Sequence, residues 1–339
     1  MSHRVAVLGI DLAKNVFQLH GINHGGQTVL KRRLTRDKLT PAVAQLDACT
    51  IAIEACTGAF YWARVFQQLG HTVRVISPQY VKPFVKGNKN DGNDAEALCE
   101  AVQRPTMRFV PLKTLDQQDI QALHRARQRL VNHRTALIAQ MRGLLLDRGI
   151  AFAKNASRAR RMIPQVLEDD TLLTPLLRET IRDLYEFLQQ VDQRIARFDH
   201  RIARVFRESE VCQRIACVEG VGPKTATALV AAVGNARDFM NGRHLAAWLG
   251  LVPKHHASGD RRVMMGISKH GDQHLRTLLI HGARAVVRTA QRKTDPRSTW
   301  IKALQERRGT NRTIVAVANK NARILWSLLA KGECYRPAV

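Results

Sequence analysis

The first third of the chain contains short apolar runs separated by turn residues. Three of them, residues 5–10, 16–22 and 28–34, have the length and composition of β-strands. Asn23-His24-Gly25-Gly26, between the second and third runs, predicts a hairpin turn because asparagine and glycine tolerate the backbone angles of tight turns. The opening segment is therefore predicted to be a three-stranded meander.

Helices and strands then alternate along the chain. The predicted elements are a helix at 36–46, a strand at 50–53, a helix at 59–69, a strand at 71–76 and a helix that carries Asp91 and Asp94. Together with the meander they follow the order of the ribonuclease H fold. We therefore expect an α/β domain with a mixed sheet over residues 1–112.

Beyond Pro111 the apolar spacing becomes that of long helices. One helix is predicted from Leu115 to about Arg148. Another begins at Thr174-Pro175, a capping residue followed by proline, and carries an apolar stripe over 177–205 whose members are spaced alternately four and three residues apart. This pattern predicts a coiled coil, and we favour a partner subunit over the helix that begins at Leu115 as the surface that covers it.

The expected organisation therefore has three parts. They are the α/β domain at 1–112, a helical linker with the coiled coil at 113–208, and a mainly helical domain at 209–339.

The charge balance points to a polyanionic partner. Lysine and arginine number 54 against 28 aspartates and glutamates, a formal charge of +26, so nucleic acid is the leading candidate. Aromatic residues make up only 5% of the chain, so basic contacts to phosphate are expected to outweigh base stacking. With no apolar run long enough for a membrane span, no signal-peptide core and no paired cysteine spacing, we expect a cytoplasmic protein with reduced thiols.

Four acids lie where polynucleotide-cutting folds place metal-binding carboxylates. Asp11 and Glu54 each end an apolar run, and Asp91 and Asp94 are three residues apart, which puts them on one face of a helix. Carboxylate oxygens suit Mg²⁺, and a pair of such ions polarises a phosphodiester and stabilises its leaving oxygen. The combination predicts a site that cuts nucleic-acid strands.

A second motif, Val218-Glu219-Gly220-Val221-Gly222-Pro223-Lys224, has the pattern of a helix-hairpin-helix turn. In such a turn Gly220 and Gly222 let backbone N–H groups approach a phosphate at a helix N-terminus, and Lys224 adds positive charge. An ordinary glycine-rich turn between two helices is the alternative.

The third motif, residues 249–276, places serines among basic side chains suited to neutralise a phosphate under attack. The basic residues proposed for this contact are Arg261, Arg262, Lys269 and Arg276. The residue types alone leave Ser258, Ser268 and a purely structural loop as alternatives. No Gly-x-Ser-x-Gly elbow is present, which argues against a hydrolase triad.

In combination these motifs resemble the bridge-RNA-guided insertion-sequence transposases, also called DEDD transposases, over nearly the whole chain. The carriers are Gly9-Ile10-Asp11-Leu12-Ala13-Lys14, Ile53-Glu54-Ala55-Cys56-Thr57-Gly58, Asn90-Asp91-Gly92-Asn93-Asp94-Ala95, Gly220-Val221-Gly222-Pro223-Lys224-Thr225, Gly250-Leu251-Val252-Pro253 with Ser258-Gly259, and Ser268-Lys269-x-Gly271 with Leu275-Arg276. Cys56 and Asp260 depart from the family's pattern; Asp260 is expected to bind metal or to pair with Arg261. The resemblance implies a RuvC-like domain of ribonuclease H fold joined to a helical transposase domain.

The same resemblance assigns roles to individual residues. It implies that Asp11, Glu54, Asp91 and Asp94 bind two Mg²⁺ ions and that Ser258, not Ser268, is the nucleophile that forms a 5′-phosphoserine link to DNA. Acids and serine would meet in a site between subunits of a dimer or a dimer of dimers.

A noncoding bridge RNA would pair with donor and target DNA, so that protein contacts position the nucleic acid and base pairs specify it. The alternatives are a RuvC-like nuclease that uses water as nucleophile, and a nucleic-acid-binding protein without catalysis.

Overall fold

A computed structural model describes residues 4–86, 91–153, 155–169, 171–258 and 261–336, with the backbone alone at positions 91, 257, 258, 261 and 262. Two compact units divide the chain: unit 1 is Met1–Lys113 and unit 2 is Thr114–Val339. Each unit has hydrophobic clusters of its own.

Unit 1 is a five-stranded mixed sheet with helices on both faces. Its elements are β1 (Val7–Asp11), β2 (Val16–Ile22), β3 (Thr28–Thr35), α1 (Arg36–Ala44), β4 (Thr50–Glu54), α2 (Ala59–Gln68), β5 (Thr72–Ile76), α3 (Pro78–Val81) and α4 (Asp91–Val102). The strand order is β3-β2-β1-β4-β5; β1 is antiparallel to β2 and parallel to β4, which is parallel to β5. The mixed sheet is as predicted, and it is compatible with a ribonuclease H-like fold.

The central strands are apolar on both faces because helices cover both. On one face Leu8 and Ile10 pack with the α2 residues Trp62 and Phe66. On the other, residues of α4 pack against β4 and β5. Strands covered on both faces lose the alternation of apolar and polar residues, which is why β1 and β4 appear in the sequence as continuous apolar runs.

The predicted turn between β2 and β3 is confirmed. Asn23 Oδ1 accepts hydrogen bonds of 3.0 Å from the N–H groups of Gly25 and Gln27, and Gly26 adopts the left-handed φ of +76° that glycine tolerates.

Unit 2 is mainly helical and contains one β-hairpin. Its elements are α5 (Leu115–Leu146), α6 (Ala156–Glu168), α7 (Pro175–Glu208), α8 (Glu210–Ala216), α9 (Pro223–Val233), α10 (Gly242–Trp248), β6 (Pro253–Ser258), β7 (Arg261–Ile267), α11 (Gln273–Ala290), α12 (Pro296–Arg308) and α13 (Thr310–Lys331). One large hydrophobic cluster joins α8 to α13. No helix in the described ranges is both long and apolar enough to cross a membrane.

The apolar stripe of α7 is covered from within unit 2. Ile181, Leu188, Val191 and Ile195 are buried in a cluster that also contains residues of α5 and α6. Our preference for a partner subunit as the cover of this stripe was therefore wrong. A heptad pattern defines the apolar face of a helix, but it does not specify whether the covering helix belongs to the same chain.

Candidate functional site

Two of the predicted acids lie at the ends of neighbouring strands in unit 1. Asp11 is the last residue of β1 and Glu54 is the last residue of β4, and the strands are parallel with Ile10 opposite Ile53. Because the carboxyl ends of parallel neighbours meet at one edge of the sheet, both acids belong to that edge. Both side chains are half-buried.

Helix α4 is fixed against β1 by a close backbone contact. A Cβ atom at Gly9 would lie 2.1 Å from the carbonyl oxygen of Ala95, so the position requires glycine. The Gly9 N–H donates to Cys99 Sγ at 3.0 Å, and the Cys99 thiol donates to the His20 carbonyl at 3.1 Å. Burial raises the pKa of Cys99 to about 12, which keeps this thiol protonated as a donor.

This packing brings the first turn of α4 to the edge that carries Asp11. Gln18 of β2 is opposite Asp11, and Gly92 of α4 lines the same small cavity as Gln18. Asp94 is half-buried in this turn. The side chain of Asp91 lies outside the described part of the structure, although α4 begins at that residue.

Cys56 is a neighbour of both strand-end acids. Partial burial raises the pKa of its thiol, and the negative charges of Glu54 and Asp11 raise it further. The sequence marked Cys56 only as a departure from the family's pattern, although its position two residues after Glu54 was a signal of this proximity. Among the described side chains no three His, Cys, Asp or Glu residues form a metal-binding group, and Asp91 is not among them, so the Mg²⁺ site stays a prediction.

Ser258 lies on a β-hairpin and not in the loop that the sequence indicated. It is the last residue of β6 and pairs with Arg261, the first residue of β7. The side chains of Ser258, Arg261 and Arg262 lie outside the described part, and so does Asp260. On the same strand His255 and His256 are exposed.

The base of this hairpin is held by glycine contacts between two backbone segments. A Cβ atom at Gly271 would lie 1.9 Å from the Trp248 carbonyl oxygen, and one at Gly250 would lie 2.3 Å from the His270 carbonyl oxygen. Both glycines have left-handed φ angles, +76° and +69°. The Ser268 N–H donates to the Val252 carbonyl at 2.8 Å. These contacts explain why two of the family's motifs contain glycine: each glycine lets its own segment pack against the other.

Arg276 is a structural residue of this base, and its proposed contact to phosphate stays a prediction. Its side chain is only 9% exposed, and Nη1 donates to the carbonyls of Leu249 at 3.1 Å and His270 at 3.0 Å. Lys269, by contrast, is exposed and has a left-handed φ of +57°. It stays a candidate for phosphate binding.

The glycine-rich turn between α8 and α9 packs against α11. A Cβ atom at Gly220, which has a φ of +83°, would lie 2.8 Å from the Gly282 carbonyl oxygen, so this glycine serves helix packing, and its approach to phosphate stays a prediction. Lys224 pairs with Asp199 at 2.9 Å, and its proposed contact to phosphate stays a prediction. Gly222 is exposed with open space around it, and it stays a candidate.

The buried His124 lies near the ion pair between Lys224 and Asp199. The Thr227 hydroxyl donates to the Pro223 carbonyl at 2.8 Å and is 2.9 Å from His124 Nε2, so the hydroxyl oxygen accepts from an Nε2–H group. Burial, together with the neighbouring His274, lowers the pKa of His124 to about 4, which keeps the imidazole neutral. The sequence had singled out neither histidine.

Arg127 and Lys224 both contact the Asp199 carboxylate on this side of unit 2. Burial acts to raise the pKa of Asp199, but the hydrogen bonds from Arg127 and Lys224 outweigh it, and the pKa is lowered. These contacts join α5, α7 and α9.

Comparison with known proteins gives concordant matches over most of the chain. Residues 212–297 match a model described as the transposase IS116/IS110/IS902 family, and residues 8–148 match a transposase model of the DEDD class named for IS110. A probable family 20 transposase of Pseudomonas aeruginosa is 49% identical over 97% of this chain and 98% of its own length.

Two further relatives extend the comparison. The transposase for insertion sequence element IS1111A of Coxiella burnetii is 47% identical over 98% of this chain and 92% of its own. A pilin gene-inverting protein of Moraxella bovis is 24% identical over 80% of each chain. On the full-length matches, this chain belongs to the IS116/IS110/IS902 family of insertion-sequence transposases.

Proposed function

We propose that this transposase cuts and rejoins DNA of its insertion sequence through a covalent bond between Ser258 and a 5′ phosphate. The observation that carries the proposal is the position of Ser258 at the end of a strand whose base is held by backbone contacts, in a chain of a transposase family. An anchored hairpin restricts where a nucleophile can be, which lowers the entropy cost of reaching the phosphate. Exposed Lys269 adds positive charge near this base.

In the proposed cleavage step, Ser258 Oγ gives up its proton and bonds to phosphorus while the bond from phosphorus to the 3′ oxygen breaks. The 3′ oxygen leaves as a hydroxyl after taking up a proton. In rejoining, the 3′ hydroxyl of another strand attacks the phosphoserine and releases the serine. The number of phosphate ester bonds is unchanged, so the cycle needs no nucleotide cofactor.

We assign Mg²⁺ binding to Asp11, Glu54, Asp91 and Asp94. The support is the chemistry of the donor set, since a hard cation prefers carboxylate oxygens, and the place of Asp11 and Glu54 on neighbouring strand ends. When bound, Mg²⁺ would neutralise charge on the phosphate and on its leaving oxygen. The close packing at Gly9 would hold α4, and so Asp94, in its place beside β1.

Replacement of Ser258 by alanine tests the nucleophile. Labelled element-end DNA, incubated with the protein, the element's RNA and Mg²⁺, should give an adduct that persists in detergent. The adduct should be lost with Ser258→Ala and kept with Ser268→Ala, the matched control from the same motif. Cleavage by Ser258→Ala without an adduct would contradict the proposal and indicate a nuclease that uses water. Asp11→Asn should lose both cleavage and adduct.

We also propose that an RNA encoded by the element selects donor and target DNA. The support is the combination of a +26 charge with 5% aromatic residues, which suits contacts to phosphate better than base reading by the protein. Sequencing of RNA that copurifies with the protein tests this proposal. An enriched transcript of the element's flanks is expected, and random cellular RNA would contradict it.

A further inference from the structure

A broad groove in unit 2 lies beside the hairpin that carries Ser258. Residues of β7, α10, α12 and α13 line it, and its volume is about 1630 Å³. Pockets for small molecules are typically about 300–1,000 Å³ and mostly apolar. The size of this groove is that of a site for a segment of a polymer.

The groove is basic. Five exposed cations line it, whereas its lining contains no aspartate or glutamate. The five are Arg243, Arg308, Arg312, Lys320 and Arg323. Within the described part of the chain, no ion pair joins any of them to a carboxylate. Their charge is therefore available to an anionic partner.

Fixed side chains tie the groove to the base of the hairpin. Asn319 of α13 donates to the Leu251 carbonyl at 3.2 Å, two residues before β6 begins. Trp326, also on α13, donates to the carbonyls of Ala236 and Phe239 at 3.0 and 3.1 Å, which fixes its ring in the wall. The groove and the strand that ends at Ser258 are thus parts of one packed body.

Strand β7 presents two methionines to this groove. Met264 is 70% exposed and Met265 is 58% exposed, and both line the groove. Between the pairs His255–Met264 and Pro253–Ile267, β7 has two residues where β6 has one, which is a β-bulge. Bulges re-aim side chains and are common beside active sites. Two adjacent exposed methionines are expected to contact a partner.

We propose that this groove binds the phosphate backbone of duplex DNA next to the bond that Ser258 attacks, and that Met264 and Met265 press against a base step and unstack it. The choice of DNA rests on the proposed function of Ser258. The phosphates of a nucleic-acid backbone are complementary to the five cations that line the groove. Apolar side chains, methionine among them, are known to wedge between base steps.

The proposed contacts between the cations of the groove and DNA phosphates are tested by the salt dependence of DNA binding. Full-length protein carrying Ser258→Ala, which leaves the strand intact, is titrated onto a labelled mixed-sequence duplex of about three helical turns. Loss of each phosphate contact should reduce the slope of log affinity against log salt by roughly 0.9, so Arg312→Gln with Arg323→Gln should reduce it by about 1.8. The matched control is Arg204→Gln with Arg207→Gln, two exposed arginines of α7 outside the groove, which should leave the slope unchanged.

An unchanged slope for the groove variant, or an equal reduction in the control, would overturn the proposal. So would loss of binding to single-stranded RNA with duplex binding intact, since the occupant would then be RNA. Because binding is measured without serine chemistry, failure of the groove and failure of the phosphoserine mechanism give different results.

The methionines are tested by fluorescence of 2-aminopurine placed at successive positions of an element-end duplex. The protein should raise the signal at one step, because unstacking relieves quenching, and Met264→Ala with Met265→Ala should abolish the rise. Met240→Ala is the matched control, since Met240 is 85% exposed but does not line the groove. A fluorescence increase that survives the double substitution would refute the proposed unstacking by the two methionines. So would the absence of any increase with the unsubstituted protein.

Discussion

Replacement of Gly271 by alanine should strongly destabilise unit 2, since this glycine holds the base of the hairpin that carries Ser258. Two costs add. An L-residue at φ +76° pays about 1–2 kcal/mol for the left-handed conformation. The new Cβ atom would also lie 1.9 Å from the Trp248 carbonyl oxygen, and overpacking against a backbone atom that has little freedom costs about 1–3 kcal/mol. The expected total is about 2–5 kcal/mol.

Gly332→Ala is the matched control for the contact itself. Gly332 has almost the same left-handed φ, +74°, but a Cβ atom there meets nothing within 4 Å. It should therefore lose only the conformational part, about 1–2 kcal/mol. The difference between the two variants isolates the contact with Trp248.

The assay is urea unfolding followed by tryptophan fluorescence, which reports mainly on unit 2 because Trp248, Trp300 and Trp326 are three of the four tryptophans. The rate of adduct formation is the second readout and should fall in Gly271→Ala, because a displaced hairpin base misplaces Ser258. Equal losses of stability in Gly271→Ala and Gly332→Ala would refute the reasoning, since the backbone contact would then impose no constraint.

Three further predictions concern other parts of the molecule. Gly9→Ala should abolish strand cleavage, because its Cβ atom would push α4 off β1, whereas Gly26→Ala, with open space at its turn, should leave cleavage near normal. Because the folded-state pKa of His124 is lowered from 6.5 to about 4, the unfolded state binds more protons below pH 6.5. The free energy of unfolding should therefore fall by about 3 kcal/mol between about pH 6.5 and pH 4, and His124→Gln should remove that part of the pH dependence in urea titrations. We also expect a dimer or a dimer of dimers by light scattering with DNA and RNA present.

Clear contrary outcomes exist for each of these predictions. Normal cleavage by Gly9→Ala would show that the α4 position does not matter for activity. An unchanged pH slope in His124→Gln would show that this histidine does not titrate with a lowered pKa. Light scattering that shows only monomers would contradict the predicted self-association.

The elements of unit 1 could be predicted from sequence because their signals are local. Buried strands such as β1 appear as apolar runs, and the turn at Asn23 to Gly26 has residues that only a few backbone conformations favour. The positions of Asp11 and Glu54 at strand ends then follow from the sheet order. Cys56 was noted only as a departure from the family's pattern, although its position two residues after Glu54 indicates that it lies near these acids.

Unit 2 was harder because its decisive contacts join distant residues. Arg276 has the sequence signature of a surface arginine, yet its partners are carbonyls of Leu249 and His270, and only the fold shows them. Likewise a glycine such as Gly220 indicates a close approach without saying to what, and here it is to Gly282.

The hairpin was missed because a two-stranded ribbon exposed on both faces needs no alternation of apolar and polar residues. Its strand β6 contains Lys254, His255 and His256, a composition typical of loops. The exposed apolar run of β7 is typical of a strand, but we did not predict a strand from it.

The proposed phosphoserine bond can be tested by identifying the residue that becomes bonded to DNA. The adduct formed with element-end DNA is digested with protease and nuclease, and the remaining peptide is sequenced by mass spectrometry. We expect a nucleotide joined through its 5′ phosphate to Ser258. A nucleotide on Ser268 or on any other residue, or cleaved DNA with no modified peptide, would contradict it.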